Sequence, residues 1–197
     1  MKKLVLATVL ASLAGLALAD VSATGVSASL TYDEKDKQNS AQVNYVYGLN
    51  VGIKLGNGWS TEARMEDERV ETGSAQKQES LAQVKVNYDI ATSTPFTPYV
   101  AGAVGHKNKA TIDFNFWVAE VGVKAKFGDF GVRYGYRRRA DWEQSTTNAY
   151  NTDEQTIAFG YDVTKNDTVS VAWKQERAND SVSSEYNTKG IYYTRRF

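Results

Sequence analysis

An alternation of apolar and polar residues between Phe116 and Arg139 constrains the fold of this chain more than any other feature. The segment is FWVAEVGVKAKFGDFGVRYGYRRR, and every second residue from Trp117 to Phe127 is apolar. The alternation resumes after the Gly128-Asp129 pair, with Phe130 on the apolar face. A period of two indicates a β-strand, and a Gly-Asp pair between two such runs indicates a tight hairpin. The segment therefore predicts two antiparallel strands.

The two faces of this hairpin suit two different environments. The apolar face has aromatic rings toward the strand ends and small aliphatic residues between them, whereas lysines and arginines occupy the other face. A strand that crosses a bilayer in a closed barrel has this character, with lipid on one side and an aqueous lumen on the other. The hairpin therefore favours a membrane barrel, provided that the rest of the chain repeats the unit.

The remaining chain does repeat it, and ten alternating segments can be counted. A long second strand alternates from Ala41 to Leu55 and closes at a Gly56–Gly58 turn, while a fifth strand, Thr97–His106, has a face of small residues beside Tyr99. The sequence thus predicts an all-β fold, a transmembrane up-and-down antiparallel β-barrel of about ten strands, with eight or twelve as alternatives.

The connections between these segments alternate in length. Those after strands two, four, six and eight are short, and the others are mostly longer and more charged. The longer ones are predicted at Glu34–Asn39, Glu71–Glu79, Ala140–Asp153 and Ala178–Tyr186. Outer-membrane barrels have short periplasmic turns and longer external loops. We therefore expect both chain termini on the periplasmic side.

The first residues predict the compartment. Lys2 and Lys3 precede an apolar run, Leu4–Leu16, and Ala17-Leu18-Ala19 resembles a small-x-small cleavage site. This order is typical of a secretory signal peptide. We expect residues 1–19 to be removed during export across the inner membrane, leaving residues 20–197 as a single barrel domain.

Composition narrows the classes of protein further. Lysine plus arginine and aspartate plus glutamate each number 23, so no basic surface for nucleic acid is expected, and the chain has no cysteine for disulfides. After residue 19, no segment approaches the roughly 18 apolar residues of a membrane helix. Only helices and closed barrels satisfy all backbone groups in lipid. The alternative is a secreted soluble sandwich or lipocalin-like barrel, whose aliphatic face would point inward.

The last residues resemble a known pattern. Gly190–Phe197, GIYYTRRF, is a strand that ends on an aromatic carboxyl-terminal residue. It resembles the assembly signal of Gram-negative outer-membrane β-barrel proteins, which implies location in outer-membrane lipid and recognition of Phe197 by the barrel assembly machinery. The charged inner face also resembles that of small monomeric, oligogalacturonate-specific porins.

The predicted lumen face carries most of the information about function. Its charged candidates are Glu62, Arg64, Glu66, Glu68, Lys85, Lys124, Lys126, Arg133, Arg137 and Arg139. In a ten-strand ring the acidic strand three lies well apart from the basic strands six and seven, which favours a field across a narrow lumen over tight neighbouring pairs. We predict a mildly anion-preferring channel for small polar or acidic solutes, with Arg133 and Arg137 as its principal contacts.

Two other functions remain open at this point. In the smallest barrels the inward side chains fill the interior, so a plugged structural or adhesive barrel is the main alternative. His106 could pair with an acid such as Asp113, Asp141 or Glu143, as in ten-stranded outer-membrane proteases, but no motif selects one and a solvated histidine is favoured. The sequence contains no metal-binding, phosphate-binding or nucleophile motif. We therefore expect neither enzymatic activity nor a cofactor.

Overall fold

The computed structural model describes residues 25–38, 40–73, 75–109, 113–142, 151–178 and 184–197. They form ten strands: β1 Gly25–Lys37, β2 Gln42–Gly56, β3 Trp59–Thr72, β4 Ala75–Asp89, β5 Phe96–Asn108, β6 Asp113–Phe127, β7 Phe130–Asp141, β8 Thr152–Asp162, β9 Asp167–Ala178 and β10 Glu185–Arg196. The predicted signal peptide lies outside the described residues. Within those residues, no helix is long and apolar enough to cross a membrane.

The ten strands close into one barrel. Each strand pairs antiparallel with its neighbours in the chain, and β1 pairs with β10 from Ser27 opposite Arg196 to Lys37 opposite Tyr186. Closure pairs both edges of the sheet, so every strand has a partner on each side. The predicted fold class and the count of ten strands are both confirmed.

The outside of the barrel carries an apolar band. Val121 is 53% exposed although it is aliphatic, and it lies between Trp117 and Phe127 on the outer face of β6. At about 3.3 Å per residue and a tilt of about 40°, the segment from Trp117 to Phe127 spans about 25 Å, the height of a lipid-facing band. The aliphatic face therefore points outward, and the soluble alternative is wrong.

The two ends of the barrel differ. One end holds the start of β1, the end of β10 and the turns at 57–58, 90–95, 128–129 and 163–166, and we call it the turn end. We call the opposite end the loop end. Gly128 has a φ of 59°, in the left-handed region that glycine adopts without steric cost. The predicted hairpin turn between β6 and β7 is confirmed at this residue.

Two predicted connections at the loop end are wrong. β1 continues to Lys37 through the predicted connection Glu34–Asn39, and β3 and β4 continue to Thr72 and from Ala75 through the predicted loop Glu71–Glu79. Water surrounds both faces of strands that extend beyond the bilayer, so the apolar alternation ends there although the backbone ladder continues. The other two predicted loops fall largely on residues 143–150 and 179–183, outside the described residues.

The lumen wall near the loop end is partly apolar. Phe114, Phe116 and Val118 of β6 point inward and pack with Ala103 of β5, and Leu81 of β4 lies against them. The lysines and arginines predicted on this face gave no sign of such an apolar cluster. Phe116 is fully buried, so water does not reach this part of the lumen.

Candidate functional site

The larger cavity of the lumen lies toward the turn end. Its volume is about 690 Å³, and its lining includes Lys126, Asp129, Asp162 and Arg196 near the turns. We call this space the vestibule. Eight basic and six acidic residues line it, so the lining carries a small excess of positive charge.

The vestibule has two unlike walls. The wall formed by β1 and β8–β10 is rich in hydroxyl groups, including Ser29, whose Oγ lies 2.8 Å from Thr194 Oγ1. The wall formed by β3–β7 carries most of the charged side chains, including Glu62, Lys85 and Arg133. A lining of hydroxyl groups and ions favours water and small polar solutes over apolar ligands.

The loop-end half of the lumen is much narrower. A cavity of about 60 Å³ remains there, called the loop-end cavity, lined mainly by paired charges. Lys107 Nζ lies 2.6 Å from Glu68 Oε2 and 3.1 Å from Glu79 Oε2. Lys35 Nζ lies 2.8 Å from Glu176 Oε1. Together with the apolar cluster around Phe116, these pairs fill most of the loop-end half.

Five residues line both cavities and thus separate them. This partition consists of Arg64, Gln83, Arg137, Glu154 and Lys174. Arg137 Nη2 donates to Glu154 Oε2 at 2.8 Å, and Lys174 Nζ donates to Asp33 Oδ2 at 2.5 Å. Arg64 forms an ion pair with Glu66 on its own strand. The partition is therefore built from side chains, without a loop or helix inserted in the lumen among the described residues.

All ten charged candidates from the sequence face the lumen, but at different depths. Seven line the vestibule: Glu62, Arg64, Lys85, Lys124, Lys126, Arg133 and Arg137. Glu66, Glu68 and Arg139 line the loop-end cavity, where Arg139 lies over the Phe116 ring with its Cζ 5.6 Å from the ring centroid.

The expectation of a field across the lumen, in place of tight neighbouring pairs, is wrong. Arg133 forms an ion pair with Glu120 of the neighbouring strand β6, and Arg137 pairs with Glu154 of the neighbouring strand β8. Lys85 lies 3.7 Å from Glu62, again on the adjacent strand. Glu154 lies directly opposite Arg137, and Glu62 lies directly opposite Lys85. The Cβ atoms of such partners are only about 5 Å apart. Glu120 lies farther along β6, and the long Arg133 side chain reaches it along the strand. Short-range pairing therefore replaces the expected field.

Tyr99 connects two charged residues of this wall, although the sequence did not predict it as a site residue. Its ring is buried, and its hydroxyl donates to Glu120 Oε1 at 2.7 Å and accepts from Arg133 Nε at 2.9 Å. Gly122 and Gly135 are paired across β6 and β7, and a Cβ at either one would meet the Tyr99 side chain. The signal in the sequence is that these two glycines are equidistant from the Gly128-Asp129 turn.

The histidine considered for catalysis faces outward. His106 Nδ1 lies 3.0 Å from Asn115 Oδ1, which is on the outer face of the adjacent strand β6. His106 therefore lies outside both cavities of the lumen. Within the described part of the chain, no group of three or more histidine, aspartate or glutamate side chains is placed to hold a metal ion.

Comparison with known sequences identifies a protein family. The family model described as the outer membrane protein β-barrel domain matches residues 4–164. No curated protein matches the chain.

Solved structures of outer-membrane proteins share the architecture. An outer membrane channel from Pseudomonas putida F1 aligns with a TM-score of 0.60 at 8% identity, over 91% of this chain and 98% of that chain. The NanC porin aligns with a TM-score of 0.47 at 13% identity, over 82% and 98% of the two chains. The KdgM porin aligns with a TM-score of 0.43 at 10% identity, over 84% and 98%. At 8% identity, the likeness to the first of these structures shows a common fold.

Proposed function

The chain belongs to the outer membrane protein β-barrel domain family, and on that premise we propose that it is a narrow channel for small polar or acidic solutes. The protein is located in the outer membrane. The observation that supports a channel best is the vestibule, a charged and hydroxyl-lined space of about 690 Å³ inside the barrel wall.

The charge of the vestibule supports a mild preference for anions. Its basic residues outnumber its acidic residues, eight to six. The Arg133 side chain is 38% exposed, whereas the Arg137 side chain is only 18% exposed. Because most cations are already paired with carboxylates, the preference should be modest. Of the two arginines predicted as principal contacts, Arg133 is the better placed for a solute in the vestibule.

Passage along the whole lumen requires the partition to open. Its cations, Arg64, Arg137 and Lys174, sit on long side chains whose χ angles can change without a change in the backbone. The arrangement described here is therefore a closed one, and side-chain movement is the proposed route to an open one. Conductance should accordingly be small and intermittent.

A plugged barrel with a structural or adhesive role is the second candidate. The observation that favours it is the loop-end half of the lumen, where ion pairs and the cluster of Leu81, Ala103, Phe114, Phe116 and Val118 leave a cavity of only about 60 Å³. Both candidates are non-enzymatic. They differ in one measurable property, permeability to solutes.

Swelling of liposomes that contain the refolded protein separates the two candidates. We expect small neutral polyols and small carboxylates to enter, and carboxylates to enter faster than polyols of the same size. Arg133→Gln should reduce the rate for carboxylates and leave the rate for polyols nearly unchanged. Exclusion of every small solute by the parent protein would contradict the channel and favour the plug.

The turn end and the terminal residue Phe197 predict the orientation and the assembly of the barrel. The turn end, with its short turns and both strand termini, should face the periplasm, so that the vestibule opens there. At the terminus, the Phe197 backbone N donates to Val26 O at 2.8 Å, and Phe197 is 74% exposed. An exposed terminal ring of this kind supports the predicted recognition of Phe197 by the barrel assembly machinery.

A further inference from the structure

We propose that Lys124 and Arg133 form a binding subsite for a small oxyanion, a carboxylate or a phosphate, on the wall of the vestibule, and that Tyr99 is its positioning residue. The inference deepens the proposed channel function, since it rests on solutes reaching the vestibule. It does not require that they pass the partition.

Two like charges lie side by side on the wall of the vestibule. Lys124 of β6 and Arg133 of β7 are direct cross-strand partners, and both point into the vestibule. Like charges directly opposite each other on one face of a sheet are destabilising. A bound anion between them would relieve that repulsion, so the arrangement is suited to an anionic ligand.

The Tyr99 ring lies within cation–π distance of both cations. Lys124 Nζ and Arg133 Cζ each lie 4.9 Å from the centroid of the Tyr99 ring. Cations within about 6 Å of an aromatic face are attracted by the ring quadrupole. The Tyr99 side chain lies against the Gly122–Gly135 pair, where it takes the space that a Cβ would need. The two cations are thus held side by side against the wall of the barrel.

Both cations keep N–H donors that a ligand could use. Arg133 donates through Nε to Tyr99 and through Nη2 to Glu120, so among the described contacts Nη1 has no acceptor. Lys124 Nζ donates to Asp89 at 2.6 Å, which uses one of its three N–H bonds. The Lys124 and Arg133 side chains are 35% and 38% exposed. Donors from both cations are therefore open to the vestibule.

The same contacts predict that binding is weak. Asp89 and Glu120 already neutralise much of the positive charge, and an entering oxyanion must compete with these carboxylates. Weak binding suits a permeation pathway, because a solute must leave the site as readily as it enters. We expect a dissociation constant on the order of millimolar.

Arginine modification tests the subsite without requiring conduction. Refolded protein in detergent is treated with phenylglyoxal, and the modification rates of Arg133 and Arg195 are followed by peptide mass spectrometry. Acetate or inorganic phosphate, added at constant ionic strength against chloride, should slow modification of Arg133 in a saturable way. Arg195, which is half-exposed on the outer face near the turn end, should react at the same rate throughout.

Two variants test the roles of Lys124 and Tyr99 in the subsite. Lys124→Gln should raise the anion concentration needed for half-protection about tenfold, the loss of one charge-assisted hydrogen bond. Tyr99→Phe retains the ring but removes the hydroxyl that accepts from Arg133 Nε, so Arg133 should react faster and be protected less, while the chain stays a folded, heat-modifiable barrel. Equal protection of Arg133 and Arg195, or unchanged protection in Lys124→Gln, would overturn the subsite. If the parent protein passed no solute in permeation assays, that result would contradict the channel and not the subsite.

Discussion

The ion pair between Arg137 and Glu154 should be strongly coupled in a double-mutant cycle. Its atoms are 2.8 Å apart, and the Arg137 and Glu154 side chains are only 18% and 11% exposed. Removing one partner of a buried pair costs about 3–5 kcal/mol, because the other charge stays buried without compensation. We therefore expect Glu154→Ala to lower the free energy of unfolding by about 3 kcal/mol or more. Arg137→Ala should cost less, because Glu154 keeps the hydrogen bond from Thr156 Oγ1.

The double variant should be less destabilised than the sum of the two single variants. The difference, the coupling free energy, should be about 2–3 kcal/mol. The measurement is urea unfolding of the refolded protein in detergent, followed by the fluorescence of its four tryptophans.

The pair between Arg195 and Asp167 is the control. Its atoms are 3.6 Å apart, and the Arg195 side chain is 52% exposed on the outside of the barrel. Exposed pairs contribute at most about 1 kcal/mol, so its coupling should be small. Equal coupling in the two cycles would refute the view that the partition is a buried ionic contact.

Three further predictions concern the wall of the barrel and its orientation. Val121→Arg, at mid-band, should lower stability in lipid by about 2–4 kcal/mol, whereas Val121→Leu should be tolerated; equal unfolding curves would mean that this face does not meet lipid. Gly135→Ala should displace the Tyr99 hydroxyl and lower the free energy of unfolding by about 1–3 kcal/mol. Gly131→Ala should have a small effect, because the nearest atom to the new methyl group is 3.9 Å away. A reversed order would contradict the packing of Tyr99. An epitope tag in the predicted Ala140–Asp153 loop should be detected on intact cells and a tag at Gly128-Asp129 only after permeabilisation, and the opposite pattern would invert the barrel.

The strands were predictable because each one faces lipid on one side and the lumen on the other. Lipid and lumen impose a period of two, and the segment from Trp117 to Phe127 shows it within a single strand. The family that the terminal strand suggested, outer-membrane β-barrel proteins, is confirmed by a match over residues 4–164, which do not include that strand. Where water meets both faces, as at Glu71 and Gln76 of the β3–β4 hairpin, no such period exists, and the strand ends were missed.

The charged site was predictable in its composition and not in its pairing. Which residues face the lumen follows from alternation, but which charges meet depends on the register between strands. Arg137 faces Glu154 because β7 and β8 pair in one register, which the sequence does not state. Tyr99 was missed for a related reason: its partners Glu120 and Arg133 lie on two other strands.

Single-channel recording in planar bilayers tests the central claim most directly. The parent protein and the Arg137→Ala/Glu154→Ala double variant are compared under the same salt gradient. If the barrel is a channel closed by the partition, the parent should show small, intermittent openings with a reversal potential on the anion side, and the double variant should conduct more and stay open longer. Silence of both proteins, with the barrel shown to be folded, would contradict the channel.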